Sequence, residues 1–516
     1  MRQAFHKRKD AKVRAHSREI TVLVKGAGIV FGGTIIGDAL KYLFEVIVAR
    51  NLGPQLFGIF FLGFTVFKVL ERVSTVGLHN GVLRYVALFR GIGDQARIKG
   101  TILLGLRTVF TAAALISLLT IVFSRTISLH LFHQENLSSV LIIFALGTVF
   151  TAITEILTYS IQAFQIMKYP VLVRMIFEPG FRIVLVVPVL WLGWKLQGVL
   201  FVFLASLILG TLLAFSYLLR VFPLTKDDIR PVYETRSILV FSWPLFFVGF
   251  LDLFIVQINT LMLGNFRTSQ EVGIYGAAQR TAFLIPIVLN SFNAIFAPMI
   301  ADLYHRKELK TLEGLFKTVT KWIFTISLPF SLILLLFAGD ILTLWGEQYK
   351  AGTLCLIIIC CAQLVNCATG PVGFVIMMTG NTVINLVNNI IVLSMIIILN
   401  VLLIPGYGIM GAAVGLAIAL IIINIIRLIQ VYFILRIHPY RTDFYKPIAA
   451  GVSAVMVSLT VAHFLGPQIS RPWLKLAGHS AVILLTYVVV LILFGLEEGD
   501  KVIFEKLKAK LLDRGA

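Results

Sequence analysis

Three ionisable residues, Asp38, Lys41 and Glu45, lie inside an apolar stretch, Gly26 to Gly53, that is long enough to cross a bilayer. At 100° per residue their side chains fall within about 60° of one another, one polar stripe on an otherwise lipid-compatible helix. A charge at the centre of a spanning helix costs roughly 2.5–3.5 kcal/mol on insertion scales, so three together must face protein or water. Two chemistries fit. The stripe could be a self-neutralising set of ion pairs that fixes packing, or a polar lining for something that crosses the membrane.

The next apolar run adds Lys68, Glu71 and Arg72, and at helical spacing Lys68, Arg72, Thr75 and His79 share one face. Later runs carry Asp252 with Asn259, and Arg280 with Asn290 and Asn293. Lys41 and Arg280 are expected in the outer halves of their spans, Lys68 near the middle and Arg72 in the inner half. That is a ladder of cations suited to a phosphate: arginine binds it through its fork and lysine as a point charge. Glu45 and Glu71 are the expected ion-pair partners within the lining, and Asp38 and Asp252 are the candidates for ion coupling. Pairwise neutralisation of Lys41, Lys68 and Arg72 by Asp38, Glu45 and Glu71 is the competing arrangement. Two further polar sets read as packing or gate contacts. They are Glu155 with Tyr159 and Gln162, and Arg174 with Glu178 and Arg182.

The elements that must position these residues are membrane helices. The chain of 516 residues is 58% hydrophobic and 14% charged, with a mean hydropathy of +0.93, which places it among integral membrane proteins. Apolar runs of spanning length begin near residues 27, 55, 100, 138, 173, 196, 237, 273, 318, 351, 381, 408, 447 and 473, about fourteen helices. The expected fold is therefore an all-α polytopic membrane protein. The expected order is a basic tail (1–25), an N-lobe of six helices (26–219), a connection (220–236), a C-lobe of six helices (237–435), two extra helices (447–495) and a tail (496–516).

Net charge is +20. In a soluble chain this would suggest nucleic acid, but here the basic residues concentrate in alternate connections and act as a topology signal. Both termini are expected in the cytoplasm, with membrane lipids as the partners of the basic runs. The connections on the other side are short, leaving no outer domain to house a catalytic centre. The four cysteines, Cys355, Cys360, Cys361 and Cys367, share one apolar segment without metal-ligand spacing and read as packing residues. No P-loop sequence is present, and neither a nucleotide cofactor nor a metal is expected.

A loose internal repeat accompanies the two sixes. Residues 52–60, LGPQLFGIF, recur as Leu263-Gly264 followed by Glu271-Val272-Gly273-Ile274-Tyr275. The segments 49–60 (ARNLGPQLFGIF), 77–85 (GLHNGVLRY) and 400–415 (NVLLIPGYGIMGAAVG) resemble the Wzx-type polysaccharide and oligosaccharide flippases of the multidrug/oligosaccharidyl-lipid/polysaccharide exporter superfamily. The resemblance implies two six-helix lobes around a central cavity lined by the first, second, seventh and eighth helices, alternating between inward- and outward-open forms. It implies a polyprenyl-diphosphate-linked oligosaccharide as substrate, turned to the outer leaflet of the plasma membrane. It further implies a tail groove at the last two helices. A glycan polymerase or export machinery is the expected partner, and the chain is expected to be non-enzymatic, its loops being short, and a monomer, since each chain would enclose its own cavity. The rival within the superfamily is a cation-coupled multidrug exporter, in which Asp38 would take the ion.

Overall fold

The computed structural model describes residues 2–225, 228–465 and 472–495, and within these the side chains from residue 28 onward except those of 462, 465, 472, 473 and 475. Among the described residues the chain is helical and contains no strand. The principal helices are α1 (Arg2–Thr75), α2 (Leu78–Gly91), α3 (Gln95–Val122), α4 (Leu137–Ala163), α5 (Lys168–Val171), α6 (Glu178–Trp191), α7 (Lys195–Val221), α8 (Thr235–Phe266) and α9 (Ser269–Ala282). They continue as α10 (Ile287–His305), α11 (Leu309–Leu336), α12 (Thr353–Thr369), α13 (Val372–Met378), α14 (Thr382–Tyr407), α15 (Ile409–Leu435), α16 (Tyr445–Leu465) and α17 (Pro472–Leu493). Eleven helical stretches among the described residues are long and apolar enough to cross a membrane. The expected spans outside that set are the two halves of α1, which carry the charges, and the segment from Lys168 to Trp191, which a π-helical turn divides. The chain is a multi-pass helical membrane protein.

α1 is two helices joined at Gly53, whose φ of 74° is open to glycine, with Pro54 opening the second half. A second break follows at Val76 and Gly77, both at positive φ. It corrects the expectation of one uninterrupted face from Lys68 to His79: two consecutive left-handed residues end the helix at Thr75, and His79 belongs to α2.

The chain forms two compact units, residues 1–273 and 274–516. α8, which carries the start of the expected C-lobe at 237, packs within the first unit, where a glycine of α2 and one of α8 itself allow close approach. A Cβ on Gly81 would fall within 2.3 Å of Ser242 Oγ, and the Arg72 guanidinium lies against Gly249. The connection between the two sixes lies along α3, where Val232 N–H donates to the Ala96 carbonyl at 3.1 Å. Its Glu234 meets Arg97 at 3.4 Å.

Inside the first unit α1, α4 and α7 enclose an aromatic cluster. Phe144 and Phe203 meet edge to face at 5.2 Å and Phe67 lies 5.4 Å from Phe144, each such pair contributing about 0.5–1.5 kcal/mol beyond area burial. The two glycines of the internal repeat also meet here. A Cβ on Gly58 would lie 1.7 Å from the Ser269 carbonyl oxygen, and one on Gly273 would lie 2.1 Å from the Pro54 carbonyl oxygen.

In the second unit α11 packs against α12, α16 and α17, with Phe324, Leu328, Ala450, Ala454, Ile483 and Tyr487 forming a buried cluster. The segment before α16 is pinned by Asp443, 2.7 Å from Lys321 of α11. Three of the cysteines are buried and all four are free thiols, in keeping with packing. Gly370 sits at φ +67°, and a Cβ there would approach Thr320 Oγ1 to 2.2 Å. Gly370→Ala should lower stability by about 1–3 kcal/mol. A thermal scan of the purified protein would register this as a drop of several degrees, and an unchanged midpoint would contradict it.

Candidate functional site

The second half of α1, residues 54–75, carries Lys68, Glu71 and Arg72 in one turn. Lys68 Nζ meets Glu71 at 2.7 Å and lies 5.4 Å from the centroids of both Phe64 and Phe67, so ring faces and a carboxylate fix it from two sides. Glu71 is buried and also faces Arg174 at 3.5 Å. Arg174 in turn faces Glu155 of α4 at 3.9 Å, and Glu155 faces His79 Nδ1 of α2 at 3.9 Å. The His79 ring packs edge-on against Tyr159 with centroids 4.9 Å apart, and its Nε2 is 3.0 Å from the Asn80 amide. One chain of ionisable groups therefore links α1, α4, α2 and the turn that carries Arg174.

That turn is the π-helical segment Leu172–Phe177. A π turn widens the helix by one residue and turns side chains away from the α register, a distortion that recurs at functional sites. Arg174 is placed by it between two carboxylates at distances beyond the 2.7–3.2 Å of a good N–H···O bond. The arginine is held loosely and keeps donors available.

Arg72 differs again. Its side chain is half-buried, its guanidinium lies against α8 at Gly249 where a Cβ would be 3.5 Å from Cζ, and it makes no ion pair among the described residues. Lys41 pairs with Asp38 at 3.0 Å while 42% exposed, and its Nζ is 3.6 Å from Met175 Sδ in the π turn. The pairwise neutralisation weighed from sequence thus holds for Lys41 with Asp38 and for Lys68 with Glu71, but not for Arg72. Glu45 is buried in the first unit. Asp252 is exposed on α8, and Arg280 is half-buried on the part of α9 that belongs to the second unit.

Arg182 behaves as a packing residue. Its Nε donates to Ser206 at 2.7 Å, its Nη2 to Glu178 at 3.3 Å, and its guanidinium stacks 4.0 Å from the Phe203 centroid. From sequence, Glu155 and Arg174 read as packing or gate contacts within separate sets. The structure instead joins them to Lys68 and Glu71, and the joining elements, the π turn and the break at Gly77, leave no periodic mark in the sequence. The i, i+4 spacing of Arg174, Glu178 and Arg182 reports one face of one helix, not which helix lies opposite. Chemically, three cations surround two carboxylates in a half-buried setting, an arrangement suited to an anion with more than one charge.

Comparison with known proteins bears on the same residues. The family described as "Polysaccharide biosynthesis protein" matches residues 23–304. Capsular polysaccharide biosynthesis protein CapF of Staphylococcus aureus is 27% identical over 222 residues, 42% of this chain and 54% of that protein. The Haloferax volcanii protein named "Probable flippase AglR" is 26% identical over 214 residues, 39% of this chain and 44% of its own. The chain thus spans about half the length of the curated relatives it matches. Among solved structures, the lipid II flippase MurJ in an inward closed conformation superposes with a TM-score of 0.71 at 16% identity, covering 90% of this chain and 98% of its own. An inward-facing multidrug resistance MATE family transporter of the MOP superfamily does so with a TM-score of 0.67 at 16% identity, covering 77% and 94%. At such identity the likeness is one of fold.

Proposed function

Since the chain belongs to the polysaccharide biosynthesis protein family, we propose that it is a flippase that carries a polyprenyl-diphosphate-linked oligosaccharide from the cytoplasmic to the outer leaflet by alternating access. It would serve cell-surface polysaccharide biosynthesis in the plasma membrane, as a monomer with both termini in the cytoplasm. The observation that carries this reading is Arg72, a half-buried guanidinium without an ion pair among the described residues, beside the loosely held Arg174. A diphosphate cannot cross hydrocarbon without hydrogen-bond partners, and a row of cations supplies them while the prenyl chain stays in lipid. In this reading Lys41, Lys68 and Arg72 of the first unit are diphosphate ligands, with Glu45 and Glu71 holding the charges apart between turnovers, and Arg280 of the second unit is a separate candidate ligand.

An apolar cleft of about 290 Å³ in the second unit, lined by Leu328 and Leu332 of α11 and Ile448, Val452, Val455 and Met456 of α16, suits a segment of the prenyl chain. A glycan polymerase or export machinery would receive the product. The experiment is flipping of a fluorescent polyprenyl-diphosphate saccharide in proteoliposomes. Wild type should transport, and a variant with alanine at Lys41, Lys68, Arg72 and Arg280 should not; full transport by that variant at normal protein level defeats the assignment.

The likeness to the MATE fold keeps a cation-coupled multidrug exporter as the second reading, with Asp38 and Asp252 taking the coupling ion. Against it, the Lys41 ammonium lies 3.0 Å from Asp38 and already supplies that carboxylate with a cation. Drug efflux by a wild type that moves no lipid-linked saccharide would favour it.

A further inference from the structure

We propose that His79 and Glu155 form a proton-binding site linked to the diphosphate site through Arg174. The observation is a carboxylate shared between an imidazole and a guanidinium. Glu155 Oε1 stands 3.9 Å from His79 Nδ1 and 3.9 Å from Arg174 Nη1, too far in each direction for a hydrogen bond. His79 and Glu155 are 4% and 7% exposed, and His79 Nδ1 is buried without a hydrogen-bond partner. An orphaned buried nitrogen aimed at a carboxylate costs about 1–3 kcal/mol in lost solvation, a cost that an approach between the two groups would remove.

The charged and titratable groups facing His79 among the described residues are Glu155 and Tyr159 of α4, Glu71 and Arg72 of α1, and Arg174 of the π turn. Two cations and two carboxylates therefore surround it. When the pair takes one proton from water, its charge goes from −1 to zero, whichever of the two groups holds the proton; the hydroxide left behind is neutralised in bulk solvent. The imidazole and the carboxyl can then close to a single hydrogen bond, and Arg174 keeps Glu71 as its remaining countercharge. Its freed donors, and one added unit of positive charge, are offered to the diphosphate. Linkage makes this reciprocal: if a proton on the pair tightens anion binding, a bound anion must draw a proton onto the pair. The left-handed residues Val76 and Gly77 separate His79 from the helix that carries Arg72, so His79 can approach α4 without dragging Lys68 or Arg72 along.

This inference rests on the flippase reading, and its test separates the two. Farnesyl diphosphate serves as probe with the purified full-length protein, in weak buffer with a pH indicator. Binding and proton uptake are recorded between about pH 6 and 8 for wild type, Glu155→Gln and His79→Gln. The probe's own titration is common to all three and cancels in the comparison. Wild type should take up more protons per bound probe than either variant, and its affinity should fall as pH rises, by up to about tenfold per pH unit for one linked proton. Glu155→Gln should bind the probe with that extra pH dependence removed. Probe binding by wild type with the same proton uptake and pH profile as both variants overturns the proton site and leaves the flippase reading standing. Absence of probe binding by folded wild type overturns both.

Discussion

Arg72→Ala is expected to reduce flipping of a polyprenyl-diphosphate saccharide by roughly ten- to a hundredfold, with protein level and thermal stability unchanged. A hydrogen bond to a charged group contributes about 1.5–3 kcal/mol, and each 1.4 kcal/mol is a factor of ten. Arg72 can deliver that full increment because it has no ion pair to give up among the described residues. The contrast with the two lysines makes the prediction specific. Lys68 is engaged by Glu71 at 2.7 Å, and Lys41 by Asp38 in a half-exposed pair, so each must exchange one anion for another. Lys41→Ala should therefore cost less than Arg72→Ala. Arg72→Lys should recover only part of the loss, since an ammonium cannot reproduce two-pronged contact with a phosphate. Initial rates in proteoliposomes at matched protein density decide the matter. Wild-type rates in Arg72→Ala, or a loss traced to missing protein, would remove Arg72 from the site.

The second large effect concerns folding. Gly58→Leu should abolish accumulation of folded protein in the membrane, because the first added carbon would lie 1.7 Å from the Ser269 carbonyl oxygen and 2.9 Å from the Gly273 nitrogen. Overpacking of a side-chain contact costs typically 1–3 kcal/mol, but here the obstacle is backbone and cannot rotate away. The expected cost lies at or beyond the top of that range. Gly180→Ala is the matched control, since a Cβ there meets nothing within 4 Å, and it should be neutral or stabilising by about 0.5–1 kcal/mol. Yield of monodisperse detergent-extracted protein and its unfolding temperature separate the two variants. Normal yield and an unshifted midpoint in Gly58→Leu would mean that this crossing is not tightly made. The partner position is already glycine, so no change at Gly273 can make room, and a genetic suppressor of Gly58→Leu would have to arise elsewhere.

The helical membrane fold was legible because spans are written in long apolar runs, and the break at Gly53-Pro54 is where local chemistry would put it. Lys68, Glu71 and Arg72 were legible for a related reason: charge inside an apolar run is costly enough to demand an explanation. Glu155, Arg174 and His79 were not legible as their partners. Helical periodicity assigns a residue to a face of its own helix, and the pairing of faces is decided by tertiary packing. The break at Val76 was missed because a β-branched residue at φ 45° runs against local preference and persists only where the surroundings hold it.

The π turn at Leu172–Phe177 has a consequence for how such a site can change over generations. A π turn is an α-helix carrying one surplus residue, so losing a single codon within it would let the backbone relax to ordinary α geometry. Every side chain on one side of the deletion would then swing by about 100° relative to the other, taking Arg174 out from between Glu71 and Glu155 without any charged residue being altered. Length variation in this short segment, as much as substitution, can take apart and rebuild the charged cluster.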